Sequence, residues 1–208
     1  PGFDPVKDFA PISLIGAVPN VLVVNPAFPA RTLKEFIEVT KARPGFYQYA
    51  SAGNGTLNHL LGEMLAGYAG VKLQHVPYKG VAPALNDLLG GQVQIAFATP
   101  AAVLQHIKAG KLLALGVSSP ARSPSLPNVP AIAETVPGFE AAAWQGVVLP
   151  AATPAEVVTK LNQEINKVLQ HPDVRSKLAA QGADILGGSS AEYTAYLRTE
   201  LPRWAKAV

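Results

Sequence analysis

The chain predicts an α/β fold with a mostly parallel sheet covered by helices, and three observations carry that prediction. Short apolar runs alternate with stretches whose apolar residues recur at helical spacing. Eighteen glycines and 19 prolines punctuate the junctions and cut the chain into pieces of strand and helix length. The stretch from Gln48 to Gly80 then reads as strand, glycine loop, helix, strand and glycine turn, so two loops emerge at one sheet edge. That edge is where open α/β sheets hold ligands.

Taken in order, Ile12 to Ile15 and Val21 to Val24 are apolar runs split by Gly16 and Pro19, which predicts two short buried strands. Thr32-Leu33-Lys34-Glu35 is a capping box opening a helix with Leu33, Phe36 and Ile37 inward, and Pro44-Gly45 stops it before a strand from Phe46 to Ala50. Ser51-Ala52-Gly53-Asn54-Gly55 turns, and Thr56 is placed to cap a helix carrying Leu57, Leu60, Leu61, Met64, Leu65 and Tyr68. Val71 to Pro77 is the next strand. Tyr78-Lys79-Gly80 turns into a helix with Pro83 near its start and Leu85, Leu88 and Leu89 inward, ended by Gly90-Gly91. Val93, Ile95 and Phe97 alternate in a strand leading to Thr99-Pro100, a third loop at the same edge. A helix from Ala101 to Ala109 and a strand from Leu112 to Val117 follow.

From Ser118 to Pro137 five prolines predict an extended connector with at most a short helix around Ile132 to Thr135. Trp144 to Leu149 reads as a strand, and Thr153-Pro154-Ala155-Glu156 as a second capping box opening a long helix through Val158, Leu161, Ile165 and Leu169. A helix from Pro172 to Gly182 and a short strand from Ala183 to Leu186 come next. A third capping box, Ser189 to Glu192, opens a last helix bearing Tyr193, Tyr196, Leu197 and Trp204. This tail has too few strands for a sheet of its own.

Composition narrows the function. Hydrophobic residues make up 49% and charged residues 15%, with no apolar run near the ~20 needed to cross a bilayer. The net charge of +3 comes from basic residues scattered singly, which does not mark a nucleic-acid surface. The absence of cysteine excludes disulfides, thiol catalysis and thiolate metal sites. His59, His75, His106 and His171 have no partner among themselves at helical spacing, so no metal site is expected. No cofactor is expected either, because Asn58 stands where a dinucleotide fingerprint needs its third glycine and no GK[ST] follows.

The glycine loop is the chemical signal. The first turn of a helix leaves backbone N–H groups unpaired and carries roughly half a positive elementary charge, and glycines let an anion approach the backbone. A small carboxylate or phosphate suits such a cradle. The same residues also serve as ordinary turn residues between a strand and a helix. Catalysis has less support: Ser51 sits in Tyr49-Ala50-Ser51-Ala52-Gly53 and not in a G-x-S-x-G elbow, and Glu63, at i, i+4 from His59, has no second carboxylate near it in sequence. A binding module leads; a small hydrolase or transferase using Ser51 or His59, and a non-catalytic interaction domain, are the alternatives.

The chain resembles the Bug family, the extracytoplasmic solute-binding receptors of tripartite tricarboxylate transporters. The likeness runs end to end through Phe3-Asp4-Pro5-Val6-Lys7-Asp8-Phe9, Ser51 to Thr56, His75-Val76-Pro77-Tyr78-Lys79-Gly80, Gly90-Gly91-Gln92-Val93, His106 to Lys111, Leu126 to Pro130 and Trp144 to Pro154. The resemblance implies a two-lobed, type II periplasmic-binding-protein-like fold that captures a small carboxylate and presents it to membrane transporter subunits. It implies that Ser51, Ala52, Gly53, Asn54, Gly55 and Thr56 hold the carboxylate, that His59, Tyr78, Lys79 and Gly80 line or support the pocket, and that Thr99 contributes selectivity. The ligand class is a dicarboxylate, an acidic amino acid or an aromatic acid, and no catalysis is expected. Relatives carry a secretory signal and a further first segment, so residues 19–141 are expected to form an intact α/β ligand-binding lobe, with 1–18 and 142–208 as the remnant of the other. A periplasmic location and a monomeric intact receptor are expected, with self-association open to this shorter chain.

Overall fold

The computed structural model describes residues 2–4, 6–124 and 126–205. The chain divides into two compact units, one from Pro19 to Ala143 and one made of the residues up to Val18 and from Trp144 onward.

The first unit is a five-stranded sheet built from β2 (Val21–Val24), β3 (Gln48–Ser51), β4 (Gln74–Pro77), β5 (Ile95–Ala98) and β6 (Leu113–Val117), in the order β4-β3-β5-β2-β6. β3 runs parallel to β4 and β5, whereas β2 is antiparallel to both β5 and β6. Four strands therefore point one way and β2 points back. The helices are α1 (Leu33–Ala42), α2 (Leu57–Ala69), α3 (Val81–Leu89) and α4 (Pro100–Lys108).

Side chains alternate across a strand, so each strand feeds two cores. Val21 and Val23 of β2, Ala50 of β3 and Ala96 and Ala98 of β5 pack with Ala84 and Leu88 of α3 and Val103 of α4. The opposite parity carries Tyr49, whose ring lies against Gly62 of α2, and Phe97, stacked on Phe139. Phe28 stacks on Phe36 of α1 and tilts against Tyr47 on the approach to β3. Small residues on one parity and aromatics on the other thus seat helices on both faces.

The second unit holds a three-stranded sheet of β7 (Ala142–Pro150), β1 (Phe9–Pro19) and β8 (Asp184–Ile185), in that order. β1 pairs antiparallel with β8, and a Cβ at Gly16 would sit 2.7 Å from the Asp184 carbonyl oxygen, so only glycine allows this approach. The tail helices are α5 (Ala155–Gln170), α6 (Pro172–Ala180) and α7 (Ser190–Ala205). Asn162 of α5 donates to the carbonyls of Ile12 and Gly188, tying the helix to the strand and the following turn. The tail supplies two strands and completes its sheet with β1.

Several elements depart from the sequence expectation. β1 is longer than the Ile12 to Ile15 run and joins a different sheet from β2. The Val71 to Pro77 strand shrinks to Gln74–Pro77, because the amide of Val71 still closes α2 by donating to Ala66. Thr32 and Glu35 form the expected reciprocal capping box, and Ser189 and Glu192 likewise exchange bonds. Thr153 does not cap α5: Pro154 occupies the N-cap position and the threonine hydroxyl donates to the Pro150 carbonyl. Thr56 also gives no side-chain cap to α2, its hydroxyl donating instead to the Gly53 carbonyl at 2.7 Å.

Candidate functional site

Because β3, β4 and β5 are parallel, the loops that follow them emerge at one edge of the sheet, and α2, α3 and α4 all begin there. None of these three helices receives a side-chain cap. By contrast α1 follows the reversed strand β2, begins at the opposite edge, and carries the full capping box. The first-turn N–H groups of a helix need partners. At the edge where α2, α3 and α4 converge, no side chain fills that role, although the Ala102 amide of α4 donates to the Thr99 carbonyl.

The loop after β3 is shaped from behind. Ser51 is 1% exposed, and its hydroxyl lies 2.6 Å from His75 Nε2 while accepting from the Gly53 amide and donating to the Gly53 carbonyl. The His75 ring stacks on His59 at 4.0 Å and on Tyr49 at 4.9 Å. Tyr49 donates to Glu63 at 2.6 Å, and His59 Nδ1 accepts from the Gly55 amide at 3.1 Å. Gly53 and Gly55 have φ of 137° and 74°, values that side chains rarely adopt, so the turn depends on glycine at both. Burial, then the neighbouring His59, holds the His75 imidazole below its usual value, with Glu63 pulling weakly the other way. Burial and the Glu63 carboxylate push the Tyr49 phenol well above its usual range.

The loop after β4 is tied to this frame. The Tyr78 amide donates to the Ser51 carbonyl and the Gly80 amide to the Ala52 carbonyl, both at 3.0 Å. The Tyr78 hydroxyl turns to Asp87 of α3 at 2.8 Å, and burial together with that carboxylate raises it to about 12. Lys79 is exposed.

A cavity of about 190 Å³ opens at this edge, lined by Asn20, Leu57, Asn58, Val81, Ala98, Thr99 and Ala143. A smaller one of about 20 Å³ lies deeper, between Ala50, Ser51, Ala52, Asn58 and Val81. Of the residues singled out from sequence, Thr99 lines the larger cavity and Ser51 and Ala52 the deeper one. Gly53, Asn54, Gly55, Thr56, His59, Tyr78, Lys79 and Gly80 build the surrounding loops. Asn20, Asn58 and Val81 were not singled out. Asn58 and Val81 are the second and first residues of uncapped helices, a signal present in the sequence. Asn20 comes to the edge only because β2 is antiparallel to β5, with Val21 opposite Ala98, which sets Asn20 beside Thr99.

The arrangement favours holding over bond-breaking. Ser51 has an imidazole within reach, yet the residue is buried and its hydroxyl is bonded to both the amide and the carbonyl of Gly53, an arrangement that shapes the loop. Among the described residues no group of histidines and carboxylates could hold a metal ion, and no helix is long and apolar enough to cross a membrane.

Comparison with known proteins supports this assignment. The chain is 40% identical over 204 residues to the UPF0065 protein in the tcbD-tcbE intergenic region of a Pseudomonas species, covering 97% of this chain and 61% of that protein. It is 38% identical over 204 residues to Protein BugT of Bordetella pertussis, covering 98% and 63%. The chain thus spans 61% and 63% of the length of these two curated relatives. Among solved structures it superposes on R. palustris Rpa4515 with adipate at a TM-score of 0.84 and 36% identity, covering 99% of this chain and 69% of that one. It superposes on MatC (Rpa3494) from Rhodopseudomonas palustris with bound malate at a TM-score of 0.82 and 29% identity, covering 99% and 71%. The family model for the tripartite tricarboxylate transporter family receptor, TctC, matches residues 2–208, and an α/β chain matched along that whole length belongs to this family of solute-binding receptors.

Proposed function

We propose that this protein is the ligand-capturing receptor of a tripartite tricarboxylate-type transporter, working in the periplasm and holding a small carboxylate at the edge where α2, α3 and α4 begin. The observation that carries the reading is convergence: the starts of α2, α3 and α4, none with a side-chain cap, meet around one cavity, while α1, which begins at the far edge, is fully capped; α5 and α6 also lack side-chain caps but do not line it. Backbone N–H groups and the dipole of each helix favour negative charge there. Solved relatives with adipate and with malate, both dicarboxylates, support a small carboxylate as the ligand class. In this reading residues 19–141 form the ligand-binding lobe, and 1–18 with 142–208 belong to the other. Ser51, Ala52, Gly53, Asn54, Gly55 and Thr56 shape the cradle with His59, Tyr78, Lys79 and Gly80 supporting it, and Thr99 faces the ligand.

The test is a titration of the ¹⁵N-labelled protein with malate and with adipate, followed by amide chemical shifts. The expected outcome is a saturable shift concentrated at Leu57, Asn58, Val81 and Ala101. Shifts spread evenly over surface lysines and arginines, or no shift at millimolar ligand, would overturn the proposal.

A further inference from the structure

Asn20 lines the cavity, and its side-chain amide nitrogen has no hydrogen-bond partner. The residue is 1% exposed. Its backbone is satisfied by Ser118, the Asn20 amide donating to the Ser118 hydroxyl at 2.8 Å and its carbonyl accepting from the Ser118 amide at 2.8 Å. Its Oδ1 accepts from Asn58 Nδ2 at 3.2 Å. Its Nδ2 has no partner, and among the described residues it is the one buried side-chain nitrogen or oxygen in that condition.

The orientation of this amide is determined by its neighbours. Asn58 Nδ2 also donates to the Phe97 carbonyl at 2.7 Å, and a carbonyl accepts only, so the Asn58 amide group must be the donor on this side. The Asn20 atom facing it must then be the oxygen, and exchanging the two ends of Asn20 would set donor against donor. The Asn20 N–H groups therefore face away from Asn58, and Asn20 is one of the residues lining the cavity, with Leu57, Asn58, Val81, Ala98, Thr99 and Ala143. A buried amide left without an acceptor is costly and rare.

We infer that Asn20 Nδ2 is a ligand-binding donor, and that it takes an oxygen of a ligand carboxylate while rejecting an ammonium group at the same place. An N–H donor accepts nothing, so a ligand with a cation there would meet like polarity from both Asn20 and the nearby helix starts. The inference rests on the carboxylate-receptor reading above and adds the discrimination between a dicarboxylate and an amino acid of equal length.

Two variants test it. Asn20→Asp keeps the acceptor that Asn58 needs and turns the donor into a second acceptor; Asn20→Leu removes both ends at similar volume and, having no orphaned amide, reports whether folding survives. Adipate and aminohexanoate, which matches it in length and replaces one carboxylate by an ammonium, are titrated into each protein. Adipate affinity is expected to fall about ten- to a hundredfold in both variants, the range for losing a hydrogen bond to a charged group. The wild-type Asn20 side-chain amide resonance, assigned by its loss in Asn20→Asp, is expected to shift on adipate addition and to shift less with aminohexanoate at equal concentration, because only one of its two ends can face Asn20. If the wild type binds adipate and both variants bind it equally well, the Asn20 assignment falls and the receptor reading stands. If the wild type binds neither compound, both fall together.

Discussion

Gly62 offers a test in which local propensity and tertiary packing predict opposite signs. It lies in the interior of α2, where alanine is favoured over glycine by about 1 kcal/mol. A Cβ at this position would stand 2.2 Å from Tyr49 Cε2, whereas carbon atoms pack at about 3.5–4.0 Å, so the ring would have to recede by more than ~1 Å. It has nowhere to go. Tyr49 is 1% exposed, stacked on His75 at 4.9 Å and anchored to Glu63 at 2.6 Å. Overpacking of this kind costs about 1–3 kcal/mol, which outweighs the gain in propensity. Gly62→Ala is therefore expected to destabilise the protein by up to about 2 kcal/mol in urea unfolding. The same substitution in a Tyr49→Leu background, where the ring is gone, should recover most of that loss. A single Gly62→Ala variant more stable than the wild type would refute the packing argument. Because Tyr49 supports His75 and His75 supports Ser51, the displaced ring should also disturb the glycine loop, visible as amide shifts at Gly53 and Gly55.

Further expectations follow from other parts of the fold. Thr32→Ala removes the reciprocal cap of α1 and should cost about 1 kcal/mol, whereas Thr153→Ala removes only a hydroxyl bond to Pro150 and should cost less; equal losses on urea unfolding would show that the two threonines are equivalent after all. Leu88, fully buried against the sheet, should cost about 2–5 kcal/mol when cut to alanine, and a loss under 1 kcal/mol would mean the core there is looser than its burial indicates. His75 has a depressed pKa in the folded state, so the unfolded chain binds the extra proton first and the contribution of the neutral imidazole, present above 6.5, is lost as pH falls through 6.5 toward the folded value. Unfolding measured from pH 8 to 5 should show that loss in the wild type and less of it in His75→Asn; parallel curves would remove His75 as its source.

The sequence disclosed what is decided within a few residues and concealed what is decided across the sheet. Thr32 with Glu35 and Ser189 with Glu192 formed their caps because both partners lie in one turn of chain. Thr153 with Glu156 shows the same spelling, but Pro154 takes the cap position and turns the hydroxyl back to Pro150, a steric choice that the motif alone does not express. The runs before and after Pro19 look alike as sequence, yet β1 and β2 end in different sheets, because pairing partners arrive from residues as distant as Asp184 and Phe97. The site divides in the same way. The glycine loop after β3 was legible, since Gly53 and Gly55 mark a turn that other residues cannot make. Ser51 was legible as part of that loop, but its burial beside His75 was not, and its hydroxyl is spent on shaping the backbone. Asn20 was invisible for a deeper reason: its place opposite Asn58, 38 residues away, depends on β2 reversing direction within the sheet. That reversal also sends α1 to begin at the other edge, where it carries its own cap. One antiparallel strand thus does two things at once: it keeps a fourth, self-capped helix start away from the edge where α2, α3 and α4 begin, and it sets the buried Asn20 beside Thr99 at that edge.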